Sequence, residues 1–198
     1  MKKILIIILA VSLLLFTGCG GSGRDSKTAG KHRIEIDVAG YGVICAELDG
    51  DSAPITVSNF LKLTKEGFYD GLTFHRVVPG FVVQGGDPEG TGMGGSDETI
   101  KGEFSENGVD NPLKHTRGAL SMARSQDPNS ASSQFFIVQE DAAGAQLDGK
   151  YAVFGYVTEG MEIVDKICSC LLYTSHIVPE VHRLHDHIHL MISVVSLA

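Results

Sequence analysis

The chain has no tryptophan, six prolines, four cysteines and a shortage of positive charge: 16 lysines and arginines against 24 aspartates and glutamates in 198 residues, a formal net charge of −8. Each shortage removes a class of function. An acidic surface argues against nucleic acid as a partner and against a polybasic membrane patch, because both need cations facing phosphate. The cysteines, Cys19, Cys45, Cys168 and Cys170, form neither a disulfide framework nor a metal-ligand set, so no metal and no other cofactor is expected. Cys45 lies in an alternating stretch and reads as a small core residue. Internal repeats are absent. Among long apolar runs there is only Ile4–Phe16, too short for a comfortable permanent span but suited to the core of a signal peptide, with Lys2 and Lys3 before it.

That run ends in LFTGC, small residues directly before Cys19. The pattern resembles a bacterial lipoprotein signal, with Phe16 standing where leucine is preferred. It implies removal of residues 1–18, a lipid on Cys19 and attachment to the outer face of the cell membrane. Removal takes two lysines and no acids, so the net charge moves from −8 to −10. Residues 19–31, rich in Gly, Ser and charge, have little to bury and read as a flexible tether.

The folded domain is expected over residues 32–169. His32–Val38 and Tyr41–Leu48 alternate around Ala39-Gly40 and predict an opening β-hairpin. Pro54 to Gly67 places apolar residues three and four apart, which predicts a helix of roughly three turns. Further strands are expected at Gly118–Ala123, Ser133–Gln139 and Tyr151–Val157, and a short helix at Gly160–Ile167. In the Ser133–Gln139 run, Gln134, Phe136 and Val138 share one face while Ser133, Phe135 and Ile137 share the other, so one face can serve the core and the other a groove. Glycines 85–95 lack the Gly-Lys-Ser/Thr ending of a phosphate loop and predict close backbone packing. Many short strands and two helices predict an antiparallel barrel or sandwich.

The run FHRVVPGFVVQGGD (74–87) sets one cation and one amide on two β stretches joined by a Pro-Gly turn. Taken alone it reads better as a sheet with one snorkelling arginine. Together with GALSMAR (118–124), SSQFFI (132–137) and LDGKYAVFG (147–155), in this order, it resembles cyclophilin-type peptidyl-prolyl isomerases over about Arg33 to Ile167. The resemblance implies a mainly β fold, an eight-stranded antiparallel barrel capped by two helices, with a groove on its outside that accelerates rotation about X–Pro bonds.

Such rotation crosses a barrier of about 20 kcal/mol because the nitrogen lone pair is delocalised into the carbonyl. No bond breaks, so neither nucleophile nor metal is needed. A cation that hydrogen-bonds the prolyl nitrogen as its lone pair localises would stabilise the twisted state selectively. By resemblance Arg76 is that cation and Gln84 its companion in catalysis. Phe81, Val82, Met122, Phe136 and Leu147 match the pocket for the proline ring, although Met122 can face either way on its strand. Gln134 matches a groove amide, Ala123, Arg124 and Ser125 the segment beside the substrate, and Tyr151 a position where many relatives carry histidine. Gln146 stands where many eukaryotic members have tryptophan, which predicts weaker cyclosporin binding.

The implied partners are proline-containing unfolded or exported polypeptides, met by a monomer. Net charge suggests a mild bias toward basic or neutral clients. A non-catalytic binder of proline segments, or a chaperone lipoprotein, is the alternative. Residues 170–198 differ from the rest: they contain none of the 24 glycines and five of the eight histidines, and CLLYTS (170–175) resembles a translated sequencing adaptor. They read as an aberrant tail, so the barrel's closing strand is in doubt, with only Ile188–Leu197 able to stand in.

Overall fold

A computed structural model describes residues 28–177 and 191–197. The expected signal peptide, Cys19 and most of the expected tether lie outside the described residues, as do four of the tail's five histidines, His182, His185, His187 and His189. No helix among the described residues is long and apolar enough to cross a membrane.

The opening hairpin forms as expected from β1 (Lys31–Val38) and β2 (Gly42–Asp49), paired in register from Lys31–Asp49 to Val38–Gly42. Next comes α1 (Pro54–Lys65), with proline in its first turn, where its missing N–H costs nothing. Ala53 before it has no side-chain oxygen to cap the helix. The cap comes from Glu103, whose buried carboxylate accepts the backbone N–H groups of Ile55 at 3.0 Å and Thr56 at 2.8 Å and the Thr56 hydroxyl at 2.7 Å. A carboxylate here satisfies orphan donors and complements the helix dipole.

The two-residue β3 (Leu72–Thr73) and β4 (Arg76–Val78) follow closely, then β5 (Val82–Gly85), β6 (Ala119–Met122), β7 (Phe135–Val138), the single turn α2 (Gly144–Leu147), β8 (Val153–Glu159), α3 (Met161–Ile177) and β9 (Met191–Leu197). All strand pairs are antiparallel, in the order β3-β9-β1-β2-β8-β6-β7-β5-β4. Among the described residues there are eight strands apart from β3, curled so that the two edge strands, β3 and β4, are consecutive in the chain, and an isolated Thr73–Asp87 bridge links β3 to the segment after β5.

Two details differ from expectation. Among the described residues there are three α-helices, α2 being one turn. The helix expected to end at Ile167 continues to Ile177, into the segment read as foreign. The closing position is filled by the stretch expected to stand in: β9 pairs with β1 from Arg33–Leu197 to Val38–Ile192, and with β3 through Leu72–Ile192 and Thr73–Met191.

Two apolar clusters follow from strand alternation. Inside the curl lie Ile34, Ile36, Ile44, Leu48, Leu120, Met122, Phe135 and Ile137, joined by Phe60 of α1, Val164 of α3 and Val194 of β9. Phe60 stacks on Tyr69 at 4.8 Å and meets Phe135 edge-on at 5.3 Å. On the outer face Val82, Ala119, Phe136, Val138, Leu147 and Val153 form the second cluster. β7 is buried on both faces and separates the two.

Candidate functional site

The β4–β5 hairpin supplies the cation. Its register sets Arg76 opposite Gln84 and Val78 opposite Val82. Between them Pro79 and Gly80 make a turn closed by the Phe81 N–H donating to the Val78 carbonyl at 2.9 Å. Gly80, at φ +76°, occupies the position of a type II turn that requires positive φ. Gln139 clamps this turn from the neighbouring strand: its side-chain oxygen accepts the Gly80 N–H at 2.7 Å and its own N–H donates to the Phe81 carbonyl at 2.8 Å.

Arg76 is the first link in a chain of amides. Its Nη1 donates to Gln84 Oε1 at 3.3 Å, and Gln84 Nε2 donates to Gln134 Oε1 at 2.8 Å. Gln134 Nε2 in turn donates to the Gly94 carbonyl at 2.7 Å and the Gly92 carbonyl at 3.1 Å. The glycine-rich loop is therefore the anchor of the relay. Asp87 fixes that loop by accepting the N–H groups of Glu89 at 2.8 Å and Gly92 at 2.5 Å. Burial works to raise the Asp87 pKa, but the N–H groups of Glu89, Gly92 and Gly94 outweigh it and hold the carboxyl below the usual range. A Cβ at Gly94 would collide with this carboxylate, so the loop packs as closely as its glycines allow.

Beside the relay is a groove of about 410 Å³ lined by Arg76, Phe81, Val82, Gln84, Ala123, Arg124, Phe136, Gln146, Leu147, Lys150 and Tyr151. A second hollow of about 390 Å³ shares Gln84, Ala123 and Arg124 with it and adds Ser125, Gln134 and the loop 92–96. Every site residue expected within the domain lies in one of these hollows except Met122. That expectation is corrected: on β6 the larger Leu120 and Met122 turn into the interior, while Ala119, Ser121 and Ala123 take the outward positions, so Met122 packs in the core. Two further groove residues, Gln146 and Lys150, were not singled out as site residues in the sequence. Lys150 sits beside Tyr151 in the LDGKYAVFG motif, the only signal that pointed to it.

The apolar floor is braced from behind. Phe136 lies parallel to His115 at 6.0 Å between ring centroids, and Tyr151 meets both rings edge-on. His115 is 2% exposed, with Nδ1 2.8 Å from Asp148 Oδ1 and Nε2 2.9 Å from the Ser121 hydroxyl oxygen. Asp148 also accepts the His115 backbone N–H at 2.9 Å. An Asp-His-Ser series suggests a nucleophile, but Ser121 is fully buried and reaches no substrate. Its work is to hold the floor.

Burial pushes the His115 pKa below the ordinary histidine value, against the opposing pull of Asp148. The unfolded chain binds this proton near pH 6.5 and the folded chain only at lower pH, so His115 favours folding fully above about 6.5 and loses that contribution as pH falls. The unfolding free energy from urea titrations should fall between pH 7 and pH 5, with a slope of at most about 1.4 kcal/mol per pH unit for this one proton. The drop should be smaller in His115→Gln. An equal drop in both proteins would assign the acid sensitivity elsewhere.

Comparison with known proteins agrees with this geometry. Residues 33–184 match the family described as cyclophilin type peptidyl-prolyl cis-trans isomerase/CLD. Peptidyl-prolyl cis-trans isomerase B of Bacillus subtilis is 55% identical over 116 residues, 59% of this chain and 76% of the relative. A crystal structure of a cyclophilin type peptidyl-prolyl cis-trans isomerase from Cryptosporidium parvum superposes with a TM-score of 0.70 at 30% identity, covering 85% of this chain and 99% of the other. The same protein solved in the presence of the dipeptide Ala-Pro gives 0.68 at 32% identity, covering 84% and 99%. With its motifs, its curled antiparallel sheet and its outer groove, the chain belongs to the cyclophilin-type peptidyl-prolyl cis-trans isomerase family.

Proposed function

We propose that the outer groove binds proline-containing segments of exported polypeptides and that Arg76 stabilises the twisted imide during X–Pro rotation. The observation that carries this reading is the amide relay: it holds a guanidinium at the rim of an apolar pocket formed by Phe81, Val82, Phe136 and Leu147. The ring of proline fits an apolar floor. The guanidinium donates to the prolyl nitrogen only as that nitrogen becomes pyramidal, so the bond strengthens in the transition state. A preorganised donor of this kind is typically worth about 3–4 kcal/mol.

The setting in this reading is the extracytoplasmic face of the membrane. A lipid on Cys19 anchors a single chain, and the Gly- and Ser-rich tether lets the groove reach its clients. Exported chains arrive unfolded, where slow X–Pro isomerisation limits folding. In a protease-coupled assay on a short X–Pro peptide, the full chain should raise the rate well above the uncatalysed value, on the order of 0.01 per second. An unchanged rate, with the peptide still bound, would establish the non-catalytic binder instead. Cell fractionation before and after Cys19→Ala tests the anchor, and membrane retention unaffected by the substitution would remove the lipid from the account.

A further inference from the structure

The chain as a whole is acidic, yet the charged side chains lining the two hollows are Arg76, Arg124 and Lys150, with no carboxylate among the described lining residues. Asp87 is close in sequence, but it is buried and its oxygens are taken by loop N–H groups. Elsewhere the chain pairs cations with acids, as in Lys31–Asp49, Lys62–Glu98 and Arg117–Asp165. Arg124 is held differently. Its guanidinium carbon lies 4.7 Å from the centre of the Tyr151 ring and 5.1 Å from that of Phe104. Nε donates to the Lys150 carbonyl at 2.9 Å and Nη1 to the Ser125 carbonyl at 2.8 Å. Rings and neutral carbonyls fix the group without cancelling its charge.

Arg124 lines both hollows, so a peptide with its proline in one and its neighbouring residues in the other must pass it. We propose that Arg124 is a specificity-determining residue that selects X–Pro segments carrying a carboxylate side chain within two residues of the proline. The inference rests on reading the groove as a proline-peptide site. It runs opposite to the bias toward basic clients suggested by net charge. Remote surface charges are screened over about 10 Å at 0.1 M salt, whereas adjacent cations are not. Because Arg124 is already immobilised, little ordering cost opposes a new ion pair.

The test is a peptide series with Glu, Lys or Ala at each position from two before to two after the proline, assayed for kcat/KM with the full chain. Glu should exceed Lys by about tenfold at one position or more, a size expected for a positioned, partly exposed pair. The preference should fall below about twofold in Arg124→Gln and survive in part in Arg124→Lys, because the charge alone accounts for some of it. As a check that needs no variant, the Glu/Lys ratio of the unaltered chain should contract in 0.5 M salt. Turnover of the Ala peptides with equal rates for Glu and Lys at every position would overturn the inference while leaving the isomerase reading intact. A preference undiminished in Arg124→Gln would also overturn it. Failure to turn over the Ala peptides would sink the isomerase reading, and this inference with it.

Discussion

Replacing Arg76 with alanine is expected to lower kcat/KM for a short X–Pro peptide by roughly 100- to 1000-fold, the loss typical of removing one preorganised donor to a developing charge. The loss should fall on kcat rather than KM. In the ground state the prolyl nitrogen is planar and offers no lone pair, so Arg76 contributes little to binding until the bond twists. Stability should be nearly unchanged, because Arg76 is exposed and its hydrogen bond to Gln84 at 3.3 Å is long. Gln84→Ala should be milder, since it leaves the cation and removes only its orientation. Protease-coupled kinetics across a range of peptide concentrations separates the two parameters. A loss confined to KM would recast Arg76 as a residue that binds and does not catalyse.

Deleting residues 178–198 is the second large effect, this time on folding. Six residue pairs join β9 to β1 and two join it to β3, and Val194 is buried in the interior cluster. Six to eight ladder hydrogen bonds at roughly 0.5–1 kcal/mol, with about 2 kcal/mol for the buried valine, come to about 5–10 kcal/mol. That approaches the whole stability of an ordinary domain, about 5–15 kcal/mol. Thermal unfolding should move down by about 10–40 °C, and the exposed edge of β1 should promote association. A midpoint unmoved by the deletion would establish that the tail is foreign to the domain, as its composition suggests. Grafting a strand of alternating apolar residues at the same register should restore the loss.

The sequence made the local elements legible because their signals are local. Proline at the start of α1, the Pro79-Gly80 turn and the two-faced pattern around Phe136 each lie within a few residues of what they specify. Met122 was placed in the groove, although the pattern Ala-Leu-Ser-Met-Ala already set large residues on one face and small ones on the other. The end of α3 was missed for a related reason. Neither glycine nor proline follows Ile167 until Pro179, so no stop signal existed where the helix was expected to finish. The relay from Arg76 ends on two glycine carbonyls, and backbone acceptors leave no mark in a sequence. His115, Ser121 and Asp148 meet only because β6 passes beneath the segment after α2. Separations of 6 and 33 residues carry no periodicity that would reveal them.

The sheet order has a consequence for biosynthesis. Its two ends meet at Leu72–Val78, and the partner of β3 is β9, more than a hundred residues downstream. β1 pairs with β2 as the two emerge, but β1, β2 and β3 each wait for a further partner more than a hundred positions downstream, in β9, β8 and β9 respectively. Arg76 lies three residues after Thr73, at the seam that this late pairing closes. A chain still lacking β9 would hold its groove residues without their final support, so the groove would become competent only after that late pairing was made.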